Sequence, residues 1–163
     1  SGSWQNNFFY KDFDLKLNLY FNLGRDIMNQ EMSRRFDFIS NENSGNIEAV
    51  KEITYWEKRG DYSKYPLYNP WSNVNAYQTG QDLFLENGSF LKLRQVSVGY
   101  DFTKILASHL DGRKLYVYAS ANNLLTLSKY SGRDPELANY LGFDDGYNMM
   151  IPKTYLIGLK LNF

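Results

Sequence analysis

A chain of 163 residues has room for one ordinary domain, and its 18 basic and 18 acidic side chains cancel. That balance leaves no electrostatic footprint for nucleic acid. Cysteine is absent, which excludes disulfides and thiolate metal sites. Aromatic residues make up 17% of the chain, yet no run approaches the ~18 consecutive apolar residues of a membrane-spanning helix. Ser1–Phe9 lacks the basic-then-apolar layout of a signal peptide. If the chain belongs in a membrane, it enters as strands, and its export signal lies elsewhere.

The first element, about 3–10, reads as a strand with Trp4, Asn6, Phe8 and Tyr10 on one face. A tight turn at 11–12 leads into a strand over 13–24. There Phe13, Leu15, Leu17, Leu19, Phe21 and Leu23 alternate with Asp14, Lys16, Asn18, Tyr20, Asn22 and Gly24. This row is as long as the ~9–11 residues of a tilted membrane strand, whereas the average soluble strand has about 5–6. A loop over 25–88 follows. Within it Ile47, Val50, Ile53 and Trp56 suggest a helical face, with Asn46 as cap, Lys58 and Arg59 at the far end and Gly60 as stop.

The third strand, 89–102, breaks phase: Leu91 and Leu93 share one parity, and Val96, Val98, Tyr100 and Phe102 the other. Two readings fit, a bulge near Gln95 or a change in which face is apolar. In the link 103–113, Thr103 can cap a short helical turn and Gly112 can end it. The fourth strand, 114–127, sets Leu115, Val117, Ala119 and Ala121 against Tyr116, Tyr118, Ser120 and Asn122. After a loop over 128–152, the strand 153–163 places Tyr155, Ile157, Leu159, Leu161 and Phe163 on one face. Leu156 sits among the polar residues of the other.

Short and long connections alternate, as in outer-membrane barrels with brief periplasmic turns and long extracellular loops. A compact soluble domain rarely tolerates a connection as long as 25–88. The fold expected is therefore all-β, an antiparallel transmembrane β-barrel segment of about five strands. Five strands leave two unpaired edges, and in hydrocarbon each unsatisfied backbone group costs several kcal/mol. Closure requires further strands from polypeptide outside this chain.

The sequence resembles the C-terminal barrel of the SusC/RagA-like TonB-dependent outer-membrane transporters of Bacteroidetes. The resemblance is carried by Tyr10-Lys11-Asp12-Phe13-Asp14-Leu15, Tyr55-Trp56, Gly60-Asp61, Tyr65-Pro66 and Glu86-Asn87-Gly88-Ser89-Phe90-Leu91-Lys92-Leu93. It continues in Val98-Gly99-Tyr100, Asn122-Asn123-Leu124-Leu125-Thr126, Tyr130-Ser131-Gly132-Arg133-Asp134-Pro135-Glu136 and the final strand. It implies a barrel of about 22 strands filled by a plug, multi-pass in the cell outer membrane and in contact with its lipid. It also implies a SusD-like surface lipoprotein and a TonB complex, the latter reached through a TonB box upstream. In such barrels the last strand resembles the signal read by the barrel-assembly machinery, which gives Tyr155 and Phe163 a role in assembly. Phe163 as a plain interface anchor is the alternative.

Loop aromatics that can stack on sugar faces are Trp56, Tyr65, Tyr68, Trp71, Tyr130, Tyr140 and Tyr147; the same rings also suit loop packing or an aromatic girdle. Asp134, Glu136, Asp144 and Asp145 have the chemistry for Ca²⁺ but match no EF-hand spacing, so solvated charge is the plainer reading. The lone histidine, His109, stands beside Ser108 without an orienting group, so no catalysis, metal or cofactor is expected. Lys16, Asn18, Asn22, Lys160 and Asn162 face inward. The functions in competition are nutrient import of an oligosaccharide or peptide, a barrel fragment held as client or structural piece of the assembly machinery, and a soluble glycan-binding sandwich. The long strands disfavour the last.

Overall fold

The computed structural model describes residues 1–35, 55–67, 80–106 and 113–162. The chain divides into a sheet unit, Ser1–Leu23, Ser89–Lys129 and Met150–Phe163, and a loop unit, Gly24–Gly88 and Tyr130–Met149. In chain order the strands are β1 (Gly2–Tyr10), β2 (Phe13–Asn22), β3 (Asp26–Asn29), β4 (Leu85–Asn87), β5 (Phe90–Asp101), β6 (Lys114–Ser128), β7 (Phe143–Asp144) and β8 (Thr154–Asn162). The helix α1 (Gln30–Arg35) follows β3 directly.

In the sheet unit β1-β2-β5-β6-β8 form one five-stranded sheet, and every neighbouring pair is antiparallel. Residues directly opposite one another share a face, so the register decides where the apolar rows lie. One row runs Phe8, Leu15, Val98, Ala119, Ile157, and the next Asn6, Leu17, Val96, Ala121, Tyr155. Towards the loop end, Trp4, Leu19, Leu93 and Leu125 continue the same face. Polar residues occupy the reverse face, as in the row Gln5, Asn18, Gln95, Asn122, Thr154. Period-two alternation in each strand has become a two-faced wall.

The phase break in β5 is a bulge. Asn18 pairs with Gln95 and Leu19 with Leu93, so Arg94 is the extra residue, and it resets the parity so that Leu91 and Leu93 join Val96 and Val98 on the apolar face. A true change of face is thereby ruled out. On the other side of β5, two β6 residues, Asn123 and Leu124, lie between the paired Asn122 and Leu125. Two extra residues preserve parity, so Leu125 and Leu127 stay in phase. Asn123 takes φ 54°, the left-handed region that Asn tolerates better than most residues.

The turn at the far end of the sheet is tied by polar groups. Asp101 N donates to Asp12 O at 2.8 Å, and Lys104 Nζ meets Asp12 Oδ1 at 2.6 Å. The expected cap is corrected here: Asp101 Oδ1 accepts from Thr103 N at 2.9 Å, while Thr103 Oγ1 accepts from Leu115 N at 3.1 Å. An aspartate two residues upstream does the capping, which frees the threonine to hold the start of β6. Gly112 lies outside the described residues.

The loop unit contains order that hydrophobic periodicity did not reveal. β3 pairs antiparallel with β4 and parallel with β7. Ile27, Tyr130 and Ala138 form one small core; Phe84, packed by Met28, Met32, Tyr65 and Leu83, forms another. Asn29 Oδ1 accepts from Met32 N at 2.9 Å, capping α1. The helix expected through Trp56 does not extend that far. Tyr55 bridges Tyr65, Trp56 N donates to Tyr65 O at 2.9 Å, and Asp61 Oδ2 accepts from the amides of Glu57 and Lys58. A carboxylate that collects those amides holds an extended-then-turned backbone instead. Asn46, Ile47, Val50 and Ile53 lie outside the described residues.

Candidate functional site

In the loop unit Glu86 is the organising carboxylate. It accepts from Ser131 Oγ at 2.7 Å, Ser131 N at 2.9 Å and Asn29 Nδ2 at 3.0 Å. Burial alone would push its carboxyl up, but the Ser131 and Asn29 hydrogen bonds, with the charge of Lys64, outweigh it and hold the group below the ordinary glutamate range. Gly88 makes room nearby, since a Cβ there would stand 2.3 Å from Ile27 Cδ1. Arg25 donates to the carbonyls of Ala138 and Asn139 at 3.1 and 3.0 Å.

The expected stacking residues separate into distinct environments. Tyr130 is 8% exposed, and its hydroxyl donates to Asp144 Oδ2 at 2.7 Å; burial and then that bond raise its phenol well above the usual tyrosine range. Its ring belongs to the small core with Ile27 and Ala138, the loop-packing one of the two readings that the sequence left open for it. Tyr65 packs on Phe84. Trp56, Tyr140 and Tyr147 are exposed, and the Arg34 guanidinium lies 4.4 Å from the Tyr147 ring centre. Tyr68 and Trp71 lie outside the described residues, as do Ser108 and His109.

Three of the four acidic candidates for calcium serve the backbone. Asp134 Oδ1 accepts from Glu136 N, Asp144 Oδ1 from Gly146 N, and Asp145 Oδ1 from Tyr147 N. Among the described residues no group of three or more His, Asp or Glu side chains is arranged to hold a metal. Glu86, Ser131 and Asn29 escaped prediction because no periodic pattern marks them. The one available signal was Glu86-Asn87-Gly88, where a glycine stands beside a charged residue at a strand end.

On the sheet unit the apolar face is open, with Tyr155, Ile157 and Leu159 exposed by 71, 83 and 65%; Phe163 lies outside the described residues. The polar face is concave. A hollow of about 370 Å³ is bordered by Lys16, Asn18, Gln95, Tyr116, Tyr118 and Lys160. Beside it Tyr116 Oη donates to Asp14 Oδ1 at 2.5 Å, and the Tyr118 ring covers Gly158, where a Cβ would come within 2.3 Å of it.

An open hydrocarbon-compatible face, a polar concave reverse and two unpaired margins describe an arc of a barrel wall. Among solved structures, the RagAB peptide transporter shares 26% identity with this chain at a TM-score of 0.60, covering 94% of this chain and 16% of its own. The RagAB peptide importer in the open-open state, at 22% identity and TM-score 0.65 over the same shares, supports the fold. The TonB-dependent receptor SusC of Bacteroides thetaiotaomicron is 29% identical over 168 residues, 94% of this chain. The chain resembles a segment of a SusC/RagA-like TonB-dependent receptor. A TonB-dependent receptor of Formosa agariphila is 28% identical over 85% of the chain. No family model matches. The chain spans 13–16% of the length of the curated relatives it matches. These relatives are named as receptors and transporters, and none of the names is that of an enzyme.

Proposed function

We propose that this segment is one arc of the wall of an outer-membrane transporter that imports oligosaccharides or peptides, driven by TonB and covered by a SusD-like lipoprotein. The observation that carries the reading is the five-stranded sheet whose apolar rows run unbroken across β1, β2, β5, β6 and β8 while its reverse is polar. Such a wall needs lipid on one side and a filled lumen on the other. β1 and β8 pair with the remaining strands of the ring, the plug fills it, and the loop unit faces outside. Tyr155, in β8, and Phe163, the residue that follows β8 in sequence, form the signal that the assembly machinery reads as it holds β8 by β-augmentation. Exposed Trp56, Tyr140 and Tyr147 are the aromatic contacts for substrate or lipoprotein.

The neighbour named as a peptide transporter favours peptide as cargo over oligosaccharide. Growth of a strain lacking the full-length gene, on defined oligosaccharides and on peptides as sole nutrient, tests the assignment. Loss of growth on one class, restored by the gene, supports import; unchanged growth on every nutrient contradicts it.

A further inference from the structure

In the loop unit Tyr147 combines exposure with restraint. The residue is 77% exposed, yet the turn that carries it is fastened. Tyr147 N donates to Asp145 Oδ1 at 3.1 Å and Gly146 N to Asp144 Oδ1 at 2.9 Å, while Asp144 Oδ2 takes the Tyr130 hydroxyl at 2.7 Å. From α1 the half-buried Arg34 lays its guanidinium 4.4 Å from the Tyr147 ring centre, and its Nη1 donates to Asp145 O. A guanidinium carries its N–H donors in a fixed fork, and Arg34 makes no ion pair and no other hydrogen bond among the described residues. The acids around it are committed elsewhere: Asp144 and Asp145 accept the bonds just given, and Glu31 packs along Gly146, where a Cβ would stand 2.7 Å from Glu31 Cβ.

From this pair we infer a subsite for a peptide carboxylate. The unused edge of the Arg34 fork takes the carboxylate oxygens, and the adjoining peptide plane or side chain lies on the free face of the Tyr147 ring. The inference rests on the proposed reading of the segment as part of a peptide importer, and it names the class of peptide selected. A carboxylate matches the fork in parallel N–H···O bonds, whereas a terminal amide sets its own N–H donors against it. A ring and a cation positioned beforehand lose little freedom when a ligand arrives. A ring that served only to pack its loop would be covered, as Tyr130 is.

Retention of short random-sequence peptides by the purified full-length transporter, read by mass spectrometry, tests this. The mixtures offered have a free C-terminus without Asp or Glu, an amidated C-terminus with them, or an amidated C-terminus without them. Wild type is expected to retain at least one of the carboxylate-bearing mixtures about fivefold over the last, the scale of a partly exposed ion pair. Which mixture is enriched distinguishes a terminal from a side-chain carboxylate. Arg34→Met should abolish the preference and Arg34→Lys keep part of it, since an ammonium has the charge without the fork. A preference that survives in Arg34→Met overturns the subsite. So does a uniform loss of all mixtures in that variant with the preference intact, which is what a purely structural Arg34 would give. Equal retention of every mixture by wild type overturns the subsite and leaves peptide import standing, whereas retention of none overturns the peptide-cargo reading and the subsite with it. Heat-modifiable migration reports assembly of each variant.

Discussion

The hydroxyl of Tyr116 reaches across the polar face to Asp14 Oδ1 at 2.5 Å, passing over Gly99, where a Cβ would stand 1.9 Å from that hydroxyl and 2.4 Å from the carboxylate oxygen. The glycine is there because two side chains already fill its space. Gly99→Ala must displace Tyr116, with an overpacking cost of about 1–3 kcal/mol. Tyr116→Phe, which removes only the donor from buried Asp14, costs about 1–3 kcal/mol through the unmet carboxylate oxygen. In urea unfolding of the full-length barrel in detergent both variants are expected to lose stability, and the double variant to lose less than the sum. Additive losses would show that the contact does not hold these strands.

The single extra residue Arg94 sets the phase of β5. Deleting it should send Leu91 and Leu93 to the polar face, because a one-residue slip inverts every side chain beyond it. The deletion is expected to abolish the heat-modifiable form of the barrel, whereas Arg94→Ala, which keeps the residue count, should retain it. Equal assembly of the two would refute the bulge.

Leu17 and Lys16 are adjacent but lie on opposite faces. Leu17→Arg places a charge among lipid-facing rows at a cost of about 2–4 kcal/mol near mid-bilayer, while Lys16→Ala leaves the apolar rows untouched. Outer-membrane fractions should contain the Lys16 variant near wild-type amounts and the Leu17 variant at a small fraction of them.

The loop unit should lose order at both pH extremes. The Glu86 carboxyl is depressed, so its contribution is full above the unfolded value of about 4.3 and is lost as pH falls through the lower folded value. The Tyr130 phenol is raised, so its contribution is full below about pH 10 and fades as pH rises further. Hydrogen exchange of the peptides around Glu86 and Ser131 should accelerate below about pH 4 in the wild type. Glu86→Gln should flatten that acid limb, and an unchanged limb would assign it to other groups.

The sheet unit was legible because a half-lipid wall writes its geometry as alternation: Phe13 to Phe21 and Tyr155 to Leu161 each declare a face. The phase break between Leu93 and Val96 was visible as well, but whether a bulge or a change of face caused it was decided only by the register at Arg94. The loop unit was illegible for the opposite reason. Asp26–Asn29, Leu85–Asn87 and Phe143–Asp144 are too short for a period to emerge, and their order comes from Glu86, Ser131, Tyr130 and Asp144 meeting across long sequence separations. For Tyr130 the choice between platform and loop packing stayed open in the sequence because its partner, Asp144, lies fourteen residues further along the chain.

Spin labels at single cysteines along β5 test the central claim most directly, in a chain that has no cysteine of its own. With the full-length barrel in lipid, labels at Leu91, Leu93, Val96 and Val98 should collide freely with oxygen and poorly with a water-soluble nickel complex. Labels at Lys92, Gln95 and Ser97 should show the reverse balance, with the phase resetting at Arg94. Uniform access to the nickel complex along the strand, or alternation that runs through Arg94 without a reset, would contradict a lipid-facing wall.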